Sequence, residues 1–426
     1  MTEEFLQYVW QHQLFAAGHD LTITDGQVLT VHRAGELNRD AGPDFFNARI
    51  TLDGVDWVGN IEVHIHTSDW KAHHHSQDKR YNNIVLHVVY EHDCRITLEN
   101  GKEPPTLQLK DYIPDGLEAQ CEHLLRSSET IPCADKLPAL PSFLLNNYLD
   151  RLVVERIEAK SDVVRRLLDE SHGSWEQTCY WLMAHYFGGR VNALPFELTA
   201  KATDQRLLAR WKDNPQRIEA LLMGQAGLLE GYFEDDYPRQ LQADYEAIRT
   251  GASLEPVGSY LWRFYRLRPS AFPTIRISQF AHLVSQSSSL FSTLLAISDA
   301  KEITALFNQQ ASAYWDDHYR FGLRSAKSTP KRIGKMQASL LVINAWVPLL
   351  FVYGATHGQQ EYKDRAVDLL MQLPPEDNRI VRQWAAAGIA PENAAQSQAL
   401  LQLYNSYCHN HRCLSCRIGY HVLKNV

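Results

Sequence analysis

The chain has no Gly-rich phosphate loop and no Gly-x-Ser-x-Gly elbow, so the usual sequence grounds for nucleotide binding and serine chemistry are missing. Gly188-Gly189-Arg190 is too short to stand for either and reads as a helix stop. No clear internal repeat or low-complexity tract is present, which leaves out solenoids and compositionally disordered linkers. No run of about 18 apolar residues stands out, and Met1-Thr2-Glu3-Glu4 is acidic where a signal peptide is basic. The expectation is a soluble cytoplasmic protein with no membrane span. Positive charge is in the minority, 42 Lys and Arg against 50 Asp and Glu, and a net charge of −8 argues against a generally basic nucleic-acid binder. The seven cysteines are odd in number and three crowd the C-terminus, a pattern that suits metal binding or plain burial better than a disulfide framework.

What is present is enough chain for two domains, 426 residues and 48.8 kDa, with ordinary hydrophobic (45%) and charged (22%) content. The fold class expected is α+β: an α/β domain with a mixed sheet over 1–130, then a large all-α domain over 131–426 that ends in a Cys-rich tail. The spacing predicts a helix over 4–16 that stops near Gly18, a strand over 27–32, a hairpin of 44–52 and 55–67 about the Asp53-Gly54 turn, a short helix capped by Ser68 or Asp69, a buried strand over 83–91, and an edge strand over 106–109. From about residue 140 helical spacing dominates, including single helices over 144–168, 175–187 and 277–297.

The hairpin carries the chemistry. Strand alternation puts Glu62, His64 and His66 on one face and Ile61, Val63 and Ile65 on the other. Asp44 opens the partner strand after Gly42-Pro43, within reach of Glu62, and two carboxylates brought together call for Mg²⁺ or Mn²⁺ because their like charges otherwise repel. Seven of the 19 histidines lie between His64 and His92. Zinc held by some of His64, His66, His73 and His75 is therefore a rival reading. His73 and His75 are too close in sequence to share a regular helix face, so joint ligation requires a short or irregular helix. His87 sits inside an apolar run and reads as a core histidine.

Pro43-Asp44 followed by Glu62-x-His64, in this order of elements, resembles the PD-(D/E)XK nuclease superfamily, with histidine where that pattern has lysine. The resemblance covers about the first quarter of the chain. It implies a metal-dependent nuclease-like protein acting on nucleic-acid phosphodiesters, with Asp44 and Glu62 as metal ligands, His64 near the attacking water and Glu36 as an additional acid. His66 or Lys71 is available to take the lysine's role. The missing lysine also suits a catalytically inactive nucleic-acid-binding or scaffold protein that keeps the fold, and the histidines suit a zinc hydrolase. Gly42-Pro43-Asp44-Phe45, Gly59 to His64, Ser68-Asp69-Trp70, Leu86 to Val89, Arg268-Pro269, Phe272 to Arg276 and the C-terminal cysteines are similar to an uncharacterised bacterial family, domain of unknown function 2851, which brings no activity with it.

Two acid-free stretches interleave basic and aromatic residues, as phosphate contact and base stacking require. One holds Arg263, Arg266, Arg268 and Arg276 with Trp262, Phe264 and Tyr265; the other includes Lys331 and Arg332. These six cations are the nucleic-acid-binding candidates, against the alternative of arginines packed on helix faces and an ordinary loop. Cys408, Cys413 and Cys416 have metal-ligand spacing, with Cys133 as the fourth donor and His409, His411 and His421 as local substitutes. The occupant expected is zinc or an iron–sulfur cluster; the latter follows a resemblance to the iron–sulfur clasp of some nucleases of the same superfamily.

Overall fold

A computed structural model describes residues 1–15, 20–252, 254–287 and 289–425. The first helix, α1 (Glu3–Gln11), begins where the Thr2 hydroxyl accepts from Phe5 N at 3.2 Å, and Glu3 and Glu4 sit where the helix dipole favours negative charge. The helix expected over 4–16 stops short, at Gln11, because the chain leaves the helical path at His12 and Gln13 takes a left-handed conformation (φ 49°); Gly18 lies outside the described residues. Phe5, Leu6, Val9 and Trp10 are buried, and the Trp10 indole donates to Ala34 O at 3.0 Å.

A seven-stranded mixed sheet follows: β1 (Leu21–Thr22), β2 (Val28–Arg33), β3 (Glu36–Leu37), β4 (Phe45–Leu52), β5 (Val55–His66), β6 (Ile84–Glu91) and β7 (Thr106–Gln108). Their order is β1-β2-β4-β5-β6-β7, with β3 also paired to β4. The hairpin forms as expected. Asp53 (φ 44°) and Gly54 (φ 83°) both take the left-handed conformation that a two-residue turn between twisted strands demands, and Leu52 then faces Val55. β6 runs parallel to β5, with Glu62 opposite His87 and Val63 opposite Val88, and Ile84 to Val89 are buried. Between β5 and β6 the backbones approach closely at Gly59, where a Cβ would lie 2.6 Å from Asn83 O and against Val85. A short helix, α2 (Asp69–Ala72), lies between β5 and β6 and packs on β5.

The chain separates into two compact units: Met1–Leu145 with Tyr404–Val426, and Asn146–Leu403. This differs from the expected division at residue 130, because the Cys-rich tail packs with the first unit through α3 (Leu117–Arg126) rather than ending the helical one. The second unit is largely helical but not all-α, since His318–Arg320 and Leu323–Arg324 form a small hairpin. Its helices include Ser142–Glu170 and Trp175–Phe187, near or at the expected bounds. The helix expected over 277–297 is two, Pro273–Gln286 and Leu290–Leu295. Ser287 draws the chain off the helical path there, its hydroxyl bonding Ser289 N at 3.2 Å and Thr293 Oγ1 at 2.9 Å. One apolar stretch does reach membrane length, Lys335–His357 with 23 residues; 78% of its most apolar window is buried inside the fold, as in a core helix.

Candidate metal centre

Parallel pairing brings Glu62 and His64 of β5 beside His87 of β6 on one face of the sheet. Burial of these polar groups is nearly complete, at 4%, 0% and 0% exposure. The strand order alone does not supply the rest of the centre. α2 ends at His73, His74 takes a left-handed conformation (φ 60°), and His75 starts a 3-10 turn. That reversal buries His75 and brings His73, itself exposed, to the solvent side of His64, while His74 stands apart from both. The irregular helix required for joint ligation is therefore present. His66 continues the alternation but is exposed at the strand end, 3.8 Å from Asp69, and takes no part.

One ligand atom from each of His64, His73 and His75 lies within 4.8 Å of the others. His64 Nε2 is 3.1 Å from His73 Nδ1, 3.6 Å from Glu62 Oε1 and 3.9 Å from Glu3 Oε1. Donors bound to one tetrahedral ion at ~2.0–2.1 Å stand ~3.3–3.4 Å apart, so these spacings suit donors that share a metal. His75 Nε2 adds a second sign. It lies 3.1 Å from Glu62 Oε1 and is buried, yet makes no hydrogen bond there. A buried ring nitrogen aimed at a carboxylate without bonding it is costly unless a cation satisfies both.

Asp44 completes the acidic side. Its backbone N donates to Glu62 Oε2 at 3.1 Å, and its carboxylate accepts from Val63 N (2.9 Å) and Gln7 Nε2 (2.9 Å) of α1. Asp44 thus holds the Glu62 carboxylate through its backbone, while its own carboxylate is engaged by Val63 N and Gln7 and lies near enough to Glu62 for the two charges to interact. Burial and the neighbouring Glu62 push Asp44 up to about 7, and burial pushes Glu62 up to about 8. Burial holds His64 neutral, down to about 2, and lowers His87 to about 3. Burial thus favours the neutral His64 imidazole, whose Nδ1 lies 2.9 Å from His87 Nε2, a contact that fixes the orientation of the ring. Trp70 packs edge-on to His64, His75 and His87, and Tyr81 stacks on His75 at 3.9 Å.

Glu36, the additional acid the superfamily resemblance implied, is exposed in β3 and ion-paired with Arg33. The acid that reaches the centre is Glu3, carried by α1, with its carboxyl raised by burial and by Asp44. Sequence spacing gave Glu3 no signal beyond its helix-start position.

Of the nucleic-acid candidates, Arg263, Arg266 and Arg268 are exposed, flanked by Tyr260 and Tyr265 at 85% and 82% exposure. The two acid-free stretches come together within the second unit: Arg320 lies over the Phe264 ring at 4.0 Å, and Thr274 Oγ1 donates to Tyr319 O at 2.6 Å. Arg332 is exposed and lines a cavity of about 650 Å³ with Lys301 and Lys335. Two candidates turn inward instead. Arg276 is half-buried against Gln279, its guanidinium pulled down to about 10 by burial. Lys331 is 6% exposed and its ammonium donates to Asp316 O, Thr329 O and Thr329 Oγ1 at 3.0–3.1 Å. Lys331→Met is therefore expected to cost about 1–3 kcal/mol of stability by orphaning those acceptors. Urea unfolding and filter binding on the same variant check this: unchanged stability with weakened nucleic-acid binding would return Lys331 to the surface role.

The fold and this cluster define a mixed α/β protein with a buried histidine–carboxylate centre on its sheet. The model of the family described as "Protein of unknown function (DUF2851)" matches residues 3–379, and the chain belongs to that family. The match takes in the whole centre and both basic stretches but ends before Cys408, so it does not extend to the C-terminal cysteines as expected. No curated protein and no solved structure matches the chain.

Proposed function

We propose that this protein is a metal-dependent phosphodiesterase acting on nucleic acid, with Glu62, His64, His73 and His75 as ligands and Glu3 and Asp44 beside them. The observation that carries the proposal is the convergence of two buried imidazoles, His64 and His75, with the exposed His73 and with Glu62, His75 Nε2 being left without a hydrogen bond. The run of α1, β2, β4, β5, α2 and β6, with β6 parallel to β5, agrees with the helix–strand–strand–strand–helix–strand core of the PD-(D/E)XK superfamily. Asp44 and Glu62 stand at that pattern's acidic positions and His64 at its lysine position.

The donor set favours a borderline ion such as Zn²⁺ or Mn²⁺ over Mg²⁺, because imidazole is a poor partner for magnesium. Such an ion, when bound, lowers the pKa of water and neutralises phosphate charge. His64 serves as a ligand rather than as the base, since burial keeps it neutral and its other nitrogen is held by His87. Glu3 is the group suited to take a proton from water: it is 40% exposed, next to the ligands, and its carboxyl is raised toward neutrality. Within the second unit, taken by itself, the exposed Arg263, Arg266 and Arg268 with Tyr260 and Tyr265 offer phosphate contacts and stacking faces.

A second reading has its own support. Three of the four ligands, Glu62, His64 and His75, are at most 9% exposed, His73 alone being exposed, and a set of four protein ligands is the usual shell of a structural metal. Cleavage of single- and double-stranded DNA and RNA by the full chain, with Zn²⁺, Mn²⁺ or Mg²⁺, separates the two. Metal-dependent cleavage lost in Glu62→Gln and Glu3→Gln is the expected result. A fully metallated protein that cleaves none of these substrates would leave only the structural reading.

A further inference from the structure

Cys133 and three cysteines of the C-terminal tail lie inside the first unit, near enough for each thiol to perturb the others. Cys133 precedes the 3-10 turn Ala134–Ala139; Cys408 ends the π-turn Tyr404–Cys408; Cys413 opens the 3-10 turn Cys413–Ser415; Cys416 caps the helix Arg417–Lys424. All four are buried, at 7–8% exposure, and none is disulfide-bonded. Each interacts electrostatically with the other three. Of the substitute donors, His409 and His411 are exposed and His421 is half-buried, whereas all four cysteines are buried.

The backbone around them is tightly wound. Cys416 N bonds Cys413 O at 3.2 Å, His411 N bonds Cys408 O at 3.1 Å, and Cys413 Sγ points to Leu124 O of α3 at 3.6 Å. A Cβ at Gly419 would run into the Cys413 carbonyl, so the helix after Cys416 packs directly on the Cys413 turn. Thiols at this density without a cation gain nothing from one another. Burial raises each of Cys133, Cys408 and Cys413, and the neighbouring thiols raise them further. A cation bound between them reverses that relation, because it favours the thiolate form.

We propose that Cys133, Cys408, Cys413 and Cys416 form a tetrathiolate site for a thiophilic metal centre that fastens the C-terminal tail to the α3 segment of the same unit. Spacing bears on the occupant. Among the described residues only His64, His73 and His75 form a set of three such donors within 4.8 Å, so the sulfurs stand wider than the ~3.8 Å edge of a zinc–thiolate tetrahedron. A multi-iron cluster with sulfide bridges, also held by four thiolates, fills a wider cage. The site does not depend on the histidine centre or on its proposed activity.

The full chain is purified without oxygen and its absorption recorded as isolated, after addition of cobalt(II), and after addition of ferrous iron with sulfide. Thiolate-to-metal charge-transfer bands are expected, which histidine and carboxylate ligands cannot produce. Iron with acid-labile sulfide identifies a cluster, and zinc exchangeable for cobalt identifies a single ion; either supports the site. The bands should be lost in Cys408→Ser and Cys416→Ser and kept in Cys94→Ser, whose sulfur lies elsewhere. Wild-type protein that gives no thiolate band under any of the three conditions overturns the proposal, as do bands that survive in both Cys408→Ser and Cys416→Ser.

Discussion

Glu62→Gln is expected to weaken metal binding at the histidine centre by at least ~100-fold while leaving the fold intact. Loss of a residue that merely supports a ligand costs roughly 10- to 100-fold, and Glu62 faces both His64 and His75. His75→Ala should match it, and His87→Ala should show the smaller, supporting-residue loss of roughly 10- to 100-fold. Manganese(II) is the ion to titrate, followed by its paramagnetic resonance, because thiolate sites bind it poorly and the cysteine cluster then stays silent. The glutamine variant also separates ligand loss from misfolding. In the metal-free protein at pH 7, Glu62 is mostly protonated, so glutamine copies its neutral form and should keep or raise the melting temperature. Wild-type affinity in both Glu62→Gln and His75→Ala would dispose of the metal centre.

The second large effect is a reversal of pH dependence by metal. In the metal-free protein Asp44 and Glu62 hold protons up to about 7 and about 8, whereas in the unfolded chain they ionise near pH 4. The native state therefore binds more protons than the unfolded state across that window, and stability falls as pH rises. His64 and His87 act oppositely. Their native values of about 2 and about 3 lie below the unfolded value, so they favour the native state as pH rises toward ~6.5. The two pairs roughly cancel between ~4.5 and ~6.5. Above that the carboxylates dominate, and the metal-free protein should lose roughly 2 kcal/mol between pH 6.5 and 8.5. Saturating manganese should abolish this loss, since ligation requires ionised carboxylate, and binding at pH 7 should release on the order of one proton per ion. Urea unfolding across pH and calorimetry in two buffers measure both. A metal-free stability that is level from pH 6.5 to 8.5 would show that the carboxylates are ionised there and contradict the burial argument.

How much of this was legible in the sequence depends on the range of the signal. The β4–β5 hairpin, with Asp44 beside Glu62, follows from period-2 alternation and an Asp-Gly turn, both local properties. The approach of His73 and His75 to His64 was legible only as a condition, because nothing in three consecutive histidines says which one takes the left-handed conformation. His87 read as a core residue because its neighbours are apolar. Its role appears only through the parallel register with β5, a pairing that periodicity within one strand does not fix. Glu3 was invisible for a related reason: an acid in a first helical turn is already explained by the helix dipole, and its approach to His64 is tertiary. Glu36 was favoured by its position before Asp44, yet it pairs with Arg33 three residues away. Spacing singles out Cys408, Cys413 and Cys416, and Cys133 joins them for its place at the expected domain junction, whereas the tail's membership of the first unit has no signal in the sequence. Charge runs were the weakest guide. Lys331 and Arg276 look the same in sequence as Arg266 and Arg268, and only packing separates the interior pair from the exposed one.

The histidine centre is built in two halves of unequal rigidity. Glu62, His64 and His87 stand on central strands whose backbone bonds open only with the sheet, whereas His73 and His75 ride on a four-residue helix and a single 3-10 turn. Release of a bound ion therefore need not wait for global unfolding. It can follow opening of the segment from Thr67 to Asp78, with Trp70 leaving its pocket as the costly step. The rate at which metal leaves and the rate at which amides in that segment exchange with solvent then share one barrier, and tryptophan fluorescence at Trp70 would report both.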